Sequence, residues 1–234
     1  VTRLLLLSNS TNHGGGYLDH AMAAVRAHLG PRRQLLFVPF ALRDQAAYTT
    51  KVRERFAREG IEVEGVPDGD GAAARVEAAE ALFVGGGNTF RLLDRLQKNG
   101  LLEPIRRRAR GGMPYVGASA GTNVACPSIR TTNDMPIVQP ADFAALGLLP
   151  FQINPHYLDP APSLAHMGET REERIREFLE ENDLPVVGLR EGSWIVADEK
   201  AARLEGPRTA RLFRRSRDPE EVPPGGDLRE AITR

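Results

Sequence analysis

The chain has 234 residues, enough to bury the core of one large α/β domain, and no Ser/Gly/Pro-rich linker divides it. Its 31 basic residues balance 31 acidic ones, so no net field favours nucleic acid or an anionic membrane, and the expected partner is a small molecule. A single cysteine, Cys126, excludes an intrachain disulfide framework and a Cys-rich zinc site, which suits a reducing, cytoplasmic compartment.

The apolar run at residues 4–7 is too short for a signal peptide or a membrane span and reads as a strand. Further strands are expected at 35–38, 61–66, 81–84, 115–116 and 186–189, with helical patterns at 18–29, 48–59, 72–79, 89–99 and 101–110 between them. Most of these strands are apolar on both faces. The alternation predicts a doubly wound, mostly parallel sheet with helices on both faces, whose working residues gather at the carboxyl ends of the strands. Residues 170–182 form the best-marked helix, opened by a capping box between Thr170 and Glu173. Beyond residue 189 the short segments 193–197, 201–204 and 210–213 read as antiparallel hairpins on a sheet edge. The tail, about 218–234, is expected to be irregular. The basic run Arg106, Arg107, Arg108 and Arg110 ends a helix, where cations complement the dipole, and reads as a solvated terminus rather than a phosphate patch.

Gly117-Ala118-Ser119-Ala120-Gly121 follows an apolar strand and precedes a helix-like segment. A serine forced between strand and helix takes a strained backbone, and only small neighbours let its hydroxyl stand clear beside the first helical amide. Serine is a weak nucleophile, so a base and a group that orients the base must lie close. Of the five histidines, His13, His20 and His28 belong in or before the first helix and His166 to a polar loop, whereas His156 ends a strand after a rigid Asn-Pro turn. The orienting acid has two candidates. Glu191 closes the strand 186–189 and is favoured; Asp134, in a loop after the elbow, is the rival.

Gly85-Gly86-Gly87-Asn88 lies at another strand-to-helix junction but carries neither a P-loop lysine nor a dinucleotide-binding spacing. Gly87 is therefore expected to supply one amide of an oxyanion hole and Ala120 the other. The order Ser119, His156, Glu191 disfavours an α/β-hydrolase, in which the histidine comes last.

Several long motifs then carry a resemblance: Leu4 through Thr11, Val84 through Phe90, Ala125-Cys126-Pro127, Ile129 through Pro136, Gln152 through His156 and Gly168 through Glu172. Together they make the chain resemble peptidase E, the α-aspartyl dipeptidase family. The resemblance implies a serine peptidase on a fold similar to class I glutamine amidotransferases, which carry cysteine at the place of Ser119. It implies a Ser119, His156, Glu191 triad, with Asp134 at a position also treated as catalytic, and cleavage of dipeptides with an N-terminal aspartate. It implies no metal or organic cofactor. The chain departs from many members in having Ala118, not tryptophan, before the nucleophile.

Arg171 stands one residue after the cap of its helix, where the dipole disfavours a cation. That cost suggests another use: with the substrate the resemblance implies, Arg171 is expected to read the aspartate side chain, brought in by loop closure, with a second subunit of a homodimer as one means of closing; a solvated ion pair with Glu169 or Glu172 is the alternative. Two other accounts compete: a related serine hydrolase of aspartate-containing polymers or amides, similar to cyanophycinase, and a non-catalytic small-peptide sensor on the same fold.

Overall fold

Strand β1 (Leu4–Leu7) turns leucine to both sides, Leu4 and Leu6 into one buried cluster and Leu5 and Leu7 into another. Such a strand belongs inside a sheet covered on both faces. The computed structural model, which describes residues 1–160 and 168–233, contains that sheet; His166 lies outside the described residues. After β1 the chain forms α1 (Met22–Leu29), β2 (Gln34–Val38), α2 (Gln45–Ala57), β3 (Glu62–Gly65), α3 (Ala72–Ala78), β4 (Leu82–Val84), α4 (Thr89–Lys98), α5 (Leu102–Arg110), β5 (Tyr115–Ala118) and α6 (Ala120–Asn123). It continues through β6 (Gln152–Tyr157), α7 (Arg171–Glu181), β7 (Val186–Arg190), β8 (Trp194–Ala197), β9 (Ala202–Glu205), β10 (Ala210–Phe213), β11 (Glu220–Val222) and α8 (Leu228–Thr233).

A seven-stranded sheet has the order β3-β2-β4-β5-β1-β8-β9, parallel from β3 to β1, with β8 and β9 antiparallel. The chain steps from β1 through β2 to β3 in one direction and returns through β4 to β5 in the other. Right-handed crossovers send outward and returning connections to opposite faces. Accordingly α1 and α2 pack with Leu5 and Leu7, while α3, α4 and α5 pack with Leu4 and Leu6. The adjacent strands β5 and β1 deliver α6 and α1 to opposite faces, and this divergence opens a crevice at their carboxyl ends.

The strand expected at 186–189 is not in this sheet. It is β7 of a second, four-stranded sheet, order β11-β10-β7-β6, in which only β6 and β7 are parallel. A strand apolar on both faces carries the same pattern in either sheet, so periodicity does not assign it. Ile153, Val187, Leu189 and Leu212 of the second sheet share a core with Leu4 and Leu6, and the other face, with Tyr157, Val186 and Phe213, is covered by Ile175 and Leu179 of α7. The capping box of α7 is present, with Thr170 and Glu173 bonding reciprocally. Strands β8 and β9 form a hairpin on β1, whereas β10 crosses to the second sheet.

Two further expectations are corrected. The tail forms β11 and α8, anchored by the fully buried Leu228 and by Arg214, which donates to the Ala231 carbonyl at 2.9 Å. The arginines ending α5 are not merely solvated: Arg106 donates to the carbonyls of Leu146 (2.8 Å) and Ala145 (3.0 Å), Arg108 to Ala79 (2.7 Å) and Arg110 to Gly147 (3.0 Å). They staple the helix to neighbouring loops.

Candidate active site

At the end of β5 the chain reverses into α6 within one residue, Ser119, with φ 53° and ψ −107°. For a non-glycine residue this conformation costs of order 1–3 kcal/mol, and the surroundings must enforce it. They do so by bonding and by close packing. The Ser119 amide donates to the Leu7 carbonyl at 3.1 Å, and its own carbonyl accepts the amides of Thr122 and Asn123, each at 2.9 Å. A Cβ on Gly121 would collide with the Val84 carbonyl, and one on Gly117 with the Gly121 carbonyl, so the small residues of the elbow are demanded by the approach of α6 to β4.

His156 sits on β6, where the pairing with β7 slips between Pro155 and Tyr157. It is the extra residue of this bulge and has φ 54°. A bulge frees one residue from the ladder and re-aims its side chain. Here the freed amide donates to Ser8 Oγ at 3.0 Å, and the Ser8 hydroxyl donates to the Leu189 carbonyl at 2.7 Å. The imidazole is thereby set between two partners: Nε2 lies 2.9 Å from Ser119 Oγ, and Nδ1 lies 2.5 Å from Glu191 Oε1. Glu191 follows β7 directly, and the next residue, Gly192, donates its amide to Asn9 Oδ1 at 2.8 Å. The side chains of His156 and Glu191 are 39% and 48% exposed, so their pairing orients the ring more than it stabilises the fold.

No hydrogen bond or ion pair joins Asp134 to His156 among the described residues. Asp134 Oδ2 accepts the Thr89 amide and the Thr89 hydroxyl, both at 2.7 Å, at the first turn of α4. It nevertheless lines the same cavity, of about 320 Å³, as Ser119, Ala120, His156, Arg171 and Glu191. Arg171 has its guanidinium pKa lowered, chiefly by burial and then by Arg174, against the opposing pull of Asp134. The Gly85–Gly87 turn stands against the elbow: a Cβ on Gly86 would lie 3.1 Å from Ser119 Cβ. Gly86 turns its backbone to the Tyr48 hydroxyl, while the Gly87 amide has no hydrogen-bond acceptor among the described residues. Ala118 is fully buried against Leu5, Leu7 and Val116.

Sequence reasoning missed Ser8 and Asn9 as supports, although their place directly after β1, at a carboxyl strand end, was a signal. It also missed Arg190, which bonds bidentately to Asp159 and to Glu221 at 2.6–2.9 Å, beside Glu191. These two carboxylates hold the Arg190 pKa well above its ordinary value. Among the described residues no group of three or more His, Cys, Asp or Glu is placed to hold a metal ion, and no helix is long and apolar enough to cross a membrane.

A serine on a strained strand-to-helix turn, bonded to a histidine that is bonded to a carboxylate, is the constellation of hydrolases acting through a serine nucleophile. The sequence model of peptidase family S51 matches residues 4–205, and the chain belongs to that family. It is 59% identical over 229 residues to "Peptidase E" of Streptomyces coelicolor, covering 98% of this chain and 94% of that protein. It is 49% identical over 228 residues to the "Probable alpha-aspartyl dipeptidase" of Drosophila melanogaster, covering 96% and 95%. Among solved structures its fold is similar to that of a peptidase from an acI-B1 Actinobacterium, with a TM-score of 0.72 at 16% identity over 97% of this chain and 96% of that one.

Proposed function

We propose that the protein is a serine-type dipeptidase that hydrolyses Asp-Xaa dipeptides, with Ser119 as nucleophile, His156 as general base and acid, and Glu191 as the group that orients it. The observation that carries this reading is the continuous relay from Ser119 Oγ to His156 Nε2 at 2.9 Å and from Nδ1 to Glu191 at 2.5 Å, in a cavity that also holds Arg171. The kinship to proteins named peptidase E and alpha-aspartyl dipeptidase supports the substrate class.

His156 Nε2 accepts the Ser119 proton as Oγ attacks the Asp-Xaa carbonyl carbon. The developing oxyanion is taken by the amides of Ala120 and Gly87. As the C–N bond breaks, the imidazolium returns its proton to the leaving amine and an aspartyl ester remains on Ser119. Water then attacks this ester with His156 again as base, releasing aspartate. The Arg171 guanidinium binds the aspartate β-carboxylate through two parallel hydrogen bonds, which an asparagine analogue cannot replace. We read the fold as akin to class I glutamine amidotransferases, with serine in the place of their cysteine.

A dipeptide panel assayed for released aspartate tests this reading. Asp-Leu should be cleaved and Asn-Leu strongly rejected by the wild type, and Arg171→Met should abolish that discrimination. An unchanged preference would move the aspartate reader elsewhere. Cleavage of aspartate polymers in preference to dipeptides would favour the polymer hydrolase, and failure to label Ser119 with an active-site serine probe would favour the sensor.

A further inference from the structure

The Asp134 carboxylate is only half used by the fold. Oδ2 accepts two bonds from Thr89, but Oδ1 has no hydrogen-bond partner among the described residues, and the side chain borders the cavity beside Ser119. Arg171 borders the same cavity, yet no ion pair within 4.0 Å joins it to Asp134 among the described residues. Two opposite charges therefore face one space without closing on each other.

An N-terminal aspartyl residue has the complementary arrangement: a carboxylate on one carbon, an ammonium on the next, and the scissile carbonyl attached to the carbon that bears the ammonium. With the carbonyl at Ser119 and the carboxylate at Arg171, the ammonium needs a third, anionic acceptor. Glu191 also borders the cavity, but it is engaged by His156 Nδ1 at 2.5 Å. Asp134 is the cavity carboxylate that takes no part in the bond to His156, and the Thr89 bonds to Oδ2 hold it in place at the first turn of α4 with Oδ1 available to the ammonium.

We propose that Asp134 Oδ1 accepts the substrate's α-ammonium, so that the site requires a free N-terminus as well as an aspartate side chain. This rests on the dipeptidase reading above. It assigns Asp134 a specificity role in place of a catalytic one and explains exopeptidase action, because a residue placed before the aspartate would convert the ammonium into an uncharged amide. A site with a buried polar group matched to one substrate atom strongly rejects an analogue that lacks it.

Succinyl-leucine is Asp-Leu without its ammonium, and comparing the two isolates Asp134 from Arg171. The wild type should cleave Asp-Leu with a kcat/KM at least on the order of 10²-fold above that for succinyl-leucine. Asp134→Asn should collapse this ratio toward one by losing Asp-Leu activity while changing succinyl-leucine activity little. Thr89→Val, which removes the hydroxyl bond but keeps the carboxylate, should preserve the ratio even if both rates fall. A parallel loss on both substrates in folded Asp134→Asn would reduce Asp134 to a structural support and overturn the proposal. Should that variant not fold, near-equal cleavage of Asp-Leu and succinyl-leucine by the wild type would overturn it as well. A wild type that cleaves neither substrate would overturn the dipeptidase reading and the proposal with it, whereas an intact Asp/Asn preference with no ammonium preference would leave that reading standing and overturn only the role of Asp134.

Discussion

The Ser8 hydroxyl and the His156 amide meet at 3.0 Å across the junction of the two sheets, joining the end of β1 to the bulge in β6. The same hydroxyl donates to the Leu189 carbonyl on β7, so one small side chain ties β1, the neighbour of β5, to the two strands that carry the proposed base and acid. Ser8→Ala would leave a buried donor and acceptor unsatisfied, a cost of about 1–3 kcal/mol. It should also lower kcat by at least about tenfold through misplacement of the imidazole, with KM changed far less. Denaturant unfolding beside steady-state kinetics checks both; a stability loss with unaltered kcat would show that the bulge holds His156 without Ser8.

Ser119→Ala and His156→Ala should each reduce turnover by several decades, on the order of 10³–10⁶, and the double variant should be scarcely worse, because the pair acts as a unit. The strained backbone adds a second expectation. Ser119→Gly should be as inactive as Ser119→Ala yet more stable by about 1 kcal/mol, since glycine accepts φ 53° without the clash of a Cβ. Equal melting temperatures for the two variants would show that the elbow stores no strain.

Glu191→Gln keeps the size of the side chain and removes its charge. It should lower kcat by about 10²–10⁴-fold while the fold, by circular dichroism, and the KM for Asp-Leu stay close to wild type. Retention of nearly full kcat would mean that ring orientation by the Ser8-anchored bulge suffices.

His28, in the last turn of α1, has its pKa lowered to about 4 by burial first and by neighbouring Arg3 second. Unfolded, it titrates near the ordinary value of about 6.5. Between those two values the unfolded chain binds a proton that the folded chain refuses, so stability falls as pH drops from about 6.5 to about 4, with no further loss from this residue below that. His28→Gln should flatten this part of the melting temperature profile. An identical slope in both proteins would assign the acid sensitivity to other groups.

The elbow was legible in the sequence because its chemistry is local: an apolar strand, a serine between small residues and a following helix leave few alternatives. His156 and Glu191 were legible because each closes an apolar run, and carboxyl ends of strands are where such sheets work. The division into two sheets was not legible, since Val187 and Leu189 look alike in sequence whichever sheet receives them. The bulge at His156 was hidden for a related reason: it depends on the register between β6 and β7, which no single segment encodes. Asp134 was ambiguous because a loop carboxylate near a helix start suits either capping or chemistry, and only its bonds to Thr89 separate it from the relay.

Ser119 follows a strand of the seven-stranded sheet, while His156 and Glu191 lie on or directly after strands of the four-stranded one. With the proposed triad divided in this way, hydrolysis should depend on the seam and should not appear before the two sheets dock. The chain's one tryptophan, Trp194, lies on β8 of the larger sheet and packs against the core under α1 and α2, so its fluorescence should report the formation of that sheet. During refolding the optical signal should lead and hydrolysis should follow, and the interval between them times the closing of the seam.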